Sequence, residues 1–134
     1  MLNGIFVKII VTTIIFLMLD GIWLGYLSKN LYLDNIGSLL RLDGNNIVPN
    51  WYAAVVVYVA LISGILCFVL PKAGGDPLQA LLWGGFLGFV TYATYDFTNL
   101  AVLENWSLKI SIIDTIWGMI LCGLTSFFSV LIIK

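Results

Sequence analysis

Three aspartates stand inside long apolar stretches, where an acid is expensive: Asp20, Asp96 and Asp114. Insertion scales put a charged side chain at a helix centre at about +2.5 to +3.5 kcal/mol, so each one needs a physical reason. Carboxyl groups in a partly dehydrated site cannot all ionise, so a cluster of them would retain a proton and could exchange it for a cation. A pair in unlike environments could also divide acid and base roles, and three together could hold a hard metal ion. Asp20, Asp96 and Asp114 are therefore candidates both for catalysis and for metal ligation. Residues three and four apart share a helix face, which adds aromatic and amide neighbours to the acids. Trp23 lies one turn after Asp20. Tyr92, Tyr95 and Asn99 flank Asp96, and Trp117 follows Asp114. Asp20-Gly-Ile-Trp23 and Asp114-Thr-Ile-Trp117 repeat one Asp-x-x-Trp spacing. A cation held there would also gain from the ring faces.

The elements that must carry these residues follow from hydropathy. The chain has 134 residues, is 61% hydrophobic and 10% charged, and its mean hydropathy is +1.07. That is the composition of an integral membrane protein. A bilayer core about 30 Å thick takes about 20 apolar helical residues. Four runs meet that length, at Gly4–Leu27, Asn50–Leu70, Pro77–Leu103 and Lys109–Ile133. The opening run exceeds the roughly 7 to 15 residues of a signal-peptide core, so it is expected to remain as a spanning helix. The expected fold is all-α: a polytopic four-transmembrane-helix bundle forming one membrane domain over residues 1–134. Pro71 is expected to stop the second helix, and Asp76-Pro77 to open the third as cap and first residue.

Between the first two spans, residues 29–49 carry Leu31, Tyr32, Leu33, Ile36, Leu39, Leu40 and Leu42 among Lys29, Asp34, Arg41 and Asp43. The pattern predicts a short amphipathic helix along the membrane surface, ended by a turn at Asp43-Gly44-Asn45-Asn46. With alternating spans, the three buried acids fall in the same half of the membrane, about 8 to 10 Å from its centre by the 1.5 Å helical rise. An acidic, aromatic-walled pocket under an amphipathic lid is the expected site. Each acid also has a plainer reading. Asp114 could favour the positive end of its helix, Asp20 could reach a headgroup, and Asp96 could serve packing. Asp34, Asp43, Asp76 and Glu104 read as solvated loop or cap residues.

Composition excludes much. There is no histidine, which removes His-ligated haem, His-based zinc and any relay through imidazole. Six Lys and Arg against seven Asp and Glu leave no basic stripe for nucleic acid. Cys67 and Cys122 lie in apolar runs without CxxC spacing and imply no disulfide. Lys8, Lys72 and Lys134 share the face of both termini, while Lys29, Arg41 and Lys109 share the other; cytoplasmic termini are the working expectation.

The segment Tyr92-Ala-Thr-Tyr95-Asp96-Phe-Thr98-Asn99-Leu-Ala101, continuing to Trp106-Ser107 and Asp114-Thr-Ile-Trp117-Gly118, resembles the signature of a bacterial family of predicted integral membrane proteins. That family is catalogued as domain of unknown function 2177. The resemblance also takes in Asp20 to Trp23, Pro49-Asn50-Trp51 and Pro71. It implies a compact four-helix protein of the bacterial inner membrane and carries no activity with it. Three functions stay open from the sequence. The acids could bind or carry a cation, a proton-coupled substrate or a polar-headed small molecule. They could serve an acid–base or metal-assisted enzyme acting on a lipid or isoprenoid. They could instead join partner helices in a structural subunit. Beyond the lipid bilayer, the partners expected are a small molecule, cation or lipid, and a second copy of the chain.

Overall fold

The computed structural model describes residues 2–133, so Lys134, one of the charges counted for orientation, lies outside the described residues. Helix dominates because a chain this apolar must satisfy its backbone polar groups internally. Helix α1 spans Leu2–Ile22 and continues as a wider π turn over Trp23–Leu27. Ser28 closes that turn, donating both its N–H (2.9 Å) and its hydroxyl (2.8 Å) to the Trp23 carbonyl. Helix α2, Lys29–Ile36, follows at once, with a 3-10 turn at Gly37–Leu39.

The rest of the connecting segment is a small antiparallel hairpin rather than more helix. Strand β1 (Leu42–Asp43) pairs with β2 (Asn46–Ile47), Leu42 facing Ile47 and Asp43 facing Asn46. The expected turn is the hairpin tip, with Gly44 at φ +58°, a backbone shape glycine adopts without strain. Lys29 ties the hairpin to α2 by donating to the Asn46 side-chain oxygen at 2.8 Å.

Helix α3 spans Trp51–Gly64, capped by Asn50, and passes through a π turn at Ile65–Val69 into the short α4, Leu70–Ala73. The expected stop at Pro71 is corrected here. The ladder is already widened by one residue where proline enters, since the Leu70 N–H bonds to the Ile65 carbonyl. The missing proline N–H and the bulk of its ring are absorbed in that widened stretch. The helix ends instead at Gly74, at φ +59°. Helix α5, Pro77–Val102, starts from Asp76, whose carboxylate accepts from the N–H groups of Leu78 (2.8 Å) and Gln79 (3.2 Å). Helix α6 is Leu108–Ile133.

Among the described residues, three helical stretches are long and apolar enough to cross a membrane: Gly4–Leu27, Trp51–Ala73 and Leu108–Ile133. Helix α5 has the length, at 26 residues. Its glycines and the polar run Thr91–Asn99 keep its apolar content lower.

Helix α6 is the hub, packed most extensively on α5 and next on α1. The α5–α6 contact is backbone against backbone. A Cβ on Gly84 would lie 2.5 Å from the Cys122 carbonyl oxygen, and one on Gly88 would overlap the Gly118 carbonyl. Small residues allow this approach, and dispersion across the close seam holds it. Phe16, Leu61, Ile62, Ile65, Val69, Leu121 and Cys122 form the apolar core where α1, α3 and α6 meet.

Candidate functional site

Asp20 is 5% exposed and Asp96 fully buried. Asp20 comes from the last turns of α1. Its two carboxylate oxygens accept from two other helices: the Tyr58 hydroxyl of α3 at 2.8 Å and the Trp117 indole N–H of α6 at 3.3 Å. A headgroup contact is therefore not how Asp20 is held. Asp114 sits in the second turn of α6, and no acid occupies that helix's first turn, where the helix dipole would matter most. One of its oxygens accepts from the Tyr32 hydroxyl at 2.5 Å.

Asp96 is the exception. Neither of its carboxyl oxygens has a hydrogen-bond donor among the described residues. Its neighbour is the Asp114 carboxyl, within hydrogen-bonding reach, so a proton on either group would bridge them. Ser111 fixes the local geometry by donating to the Asp96 backbone carbonyl at 3.3 Å. It also receives the Trp106 indole N–H at 3.1 Å.

The two Asp-x-x-Trp repeats are exchanged across the helices. Trp23 and Trp117 stack, with ring centroids 4.6 Å apart and planes 9° from parallel. Trp117 donates to Asp20, the acid of the other repeat. Trp23 donates to the Tyr32 hydroxyl at 3.3 Å, and Tyr32 in turn donates to Asp114. The acids of α1 and α6 are thus joined through the stacked indoles and one tyrosine.

The arrangement is a carboxyl pair with a third acid linked to it through aromatics. Among the described residues, no group of three His, Cys, Asp or Glu side chains comes together to hold a metal ion. The shared three-carboxylate metal centre considered from the sequence is not assembled. Tyr92 lies inside, its ring over Gly118, where a Cβ would overlap it, and packed against the core with Trp117. Tyr95 faces outward, 58% exposed, and meets Trp106 edge to face at 5.9 Å. Asn99, half-buried, goes with Tyr95. Among the described residues, neither of these two hydrogen-bonds to Asp96 or Asp114.

Two residues outside the expected set complete the site. The sequence offers Tyr58 only as a hydroxyl in an apolar run, on one helix face with Trp51 and Ala54, and nothing in its spacing points to Asp20. Tyr32 was legible only as one aromatic among leucines in the connecting segment. Burial, then the adjacent Asp114 carboxylate, push the Tyr32 hydroxyl well above the ordinary tyrosine range, so it remains a donor at neutral pH. Through Tyr32, α2 is latched onto α6. An apolar recess of about 650 Å³ among Leu82, Phe86, Phe89, Met119 and Ile120 lies on the outer α5–α6 surface and includes none of the acids.

No curated protein and no solved structure matches the chain. A family model does, over residues 5–131, and the chain belongs to that family, described as predicted membrane protein (DUF2177).

Proposed function

We propose that the chain crosses a membrane four times and that Asp96 and Asp114 form a proton-exchanging site. Its ligand is a cation or a positively charged, polar-headed small molecule. The observation that carries this is Asp96: fully buried, without a donor to either oxygen among the described residues, and abutting a second carboxyl group. Two ionised carboxylates so close repel each other, and Asp96 has no donor among the described residues to compensate its charge, so a shared proton is the low-energy resting state. A cation displaces that proton, because it supplies the positive charge the pair lacks. The stacked indoles of Trp23 and Trp117 offer an aromatic wall beside the acids, and Tyr32 on α2 acts as the latch of a surface lid.

A fourth span fits α5 despite its polar run. Its most buried residues, Ala80, Gly84, Gly88 and Asp96, face the bundle, while Phe86, Phe89 and Val90 are exposed. A helix enclosed by others on one side does not need apolar residues all round. The inner membrane of a bacterium, with both termini in the cytoplasm, is the setting proposed.

The test is proton movement in sealed vesicles containing the protein and a trapped pH dye. Gradients of sodium, potassium, ethylammonium and tetraphenylphosphonium are imposed in turn. At least one should drive proton flux that Asp96→Asn and Asp114→Asn each abolish while the variants stay folded and monodisperse. Flux absent for every cation, or unchanged in Asp96→Asn, overturns the proposal.

A further inference from the structure

Helix α6 buries a line of hydroxyl groups that the acid pair does not use. Ser111, Thr115, Thr125, Ser126 and Ser129 are all buried. Ser111 and Ser126 are satisfied by backbone carbonyls. Thr115, Thr125 and Ser129 have no partner among the described residues, and neither does Thr12 on α1. Thr12, Thr125 and Ser129 are fully buried. A buried hydroxyl without a partner is costly, and in native interiors such groups are ordinarily met by ordered water.

Their register brings them together. Asp20 meets Trp117, and Phe16 shares the core with Leu121 and Cys122, so α1 and α6 run antiparallel in step. One turn further along, Thr12 comes level with Thr125, and a turn beyond that Lys8 comes level with Ser129. A cavity of about 190 Å³ opens at that end, lined by Lys8, Leu70, Gly75, Val130 and Ile133. At about 30 Å³ per molecule it has room for a handful of waters. Between this polar end and the acid pair, Phe16, Leu121 and Cys122 form a fully buried apolar layer.

We infer that Thr12, Thr125 and Ser129 bind water, forming a hydrated inlet that enters from the Lys8 end and stops at the Phe16 layer. Its role as the second half of a proton path rests on the proton-exchange reading above. The water itself does not. The Phe16 layer keeps this inlet apart from the acid pair at rest.

The experiment reads water entry directly. In a Cys67→Ser background, buried Cys122 provides the dry baseline. Thr125→Cys and Ser129→Cys are then treated in vesicles with a membrane-impermeant thiol reagent, which reacts with the hydrated thiolate. Both should react at least tenfold faster than the Cys122 baseline, and only from the Lys8 face. Baseline reactivity, or reaction from the other face, overturns the inlet. A second measurement does not depend on cysteine placement. If the hydroxyls were dry, the near-isosteric Thr12→Val and Thr125→Val changes would remove unsatisfied groups and leave the unfolding temperature equal or higher. If they hold water, it falls by a few degrees. An unchanged or raised value overturns the inference. Loss of vesicle proton flux with labelling intact would strike the proposed function and leave the inlet standing.

Discussion

Removing the Tyr32 hydroxyl tests whether α2 is a latched lid or merely rests on the bundle. In Tyr32→Phe, Asp114 loses its 2.5 Å donor and the Trp23 indole loses its 3.3 Å acceptor, while the ring stays in place. A hydrogen bond to a charged group contributes about 1.5–3 kcal/mol, and 1.4 kcal/mol is tenfold in an equilibrium constant. Detachment of α2 should therefore rise between about 10-fold and 150-fold. Asp114 is only half-buried, so water can replace part of the lost bond, and the lower end of that range is expected. Hydrogen exchange of the α2 amides reads this directly, since they open only when the helix leaves or unwinds. Tyr26, 86% exposed, supplies the control substitution Tyr26→Phe. Faster exchange in Tyr32→Phe, with Asp114→Asn adding little on top of it, is the expected result. Exchange in Tyr32→Phe equal to that in Tyr26→Phe refutes the latch, and fully additive effects refute the pairing with Asp114.

Tyr32 also sets an alkaline limit. Its hydroxyl keeps its proton in the folded chain above the ordinary value of about 10, so the unfolded chain binds fewer protons there. Stability from this group is complete below about pH 10 and falls as pH rises beyond it. Denaturation in detergent should show that loss in the natural chain and a shallower one in Tyr32→Phe; identical slopes would contradict it. The α5–α6 seam gives a contrast between neighbours. Gly88→Ala drives a methyl into the Gly118 backbone, whereas the nearest atom to a Cβ on Gly85 is the Met119 carbonyl oxygen at an ordinary 3.6 Å. Gly88→Ala should cost about 3 kcal/mol and Gly85→Ala nothing or a slight gain, read as unfolding temperatures; equal values would mean the helices are not in backbone contact.

The exchanged Asp-x-x-Trp pairs show how a local repeat acquires a non-local role. Within one helix, Asp20 and Trp23 are a turn apart, as are Asp114 and Trp117, and each pair could have closed on itself. Instead Trp117 bonds Asp20, and Trp23 reaches Asp114 through Tyr32. Stacking of the two indoles at 4.6 Å favours this arrangement, because it buries both ring faces while each N–H still finds an acceptor. The same contacts brace α1, α2 and α6 against one another at the level of the acid pair.

Hydropathy, proline and capping residues determined the helices nearly to their ends, because apolar backbone has few options other than to bond to itself. Asp76 as a cap, Gly44 at a turn and three acids inside apolar runs of unlike helices were all readable in one dimension. The path through Pro71 was not, since a π turn depends on how Ile65 and Val69 pack on neighbouring helices. Pairing was also beyond the sequence. Asp96 against Asp114, Tyr58 on Asp20 and Tyr32 on Asp114 span separations of 18, 38 and 82 residues. Helical periodicity places a side chain on a face; only the rotation and register of packed helices decide which face it meets. Here glycine contact between α5 and α6 set that register, drawing Asp96 inward and turning Tyr95 out.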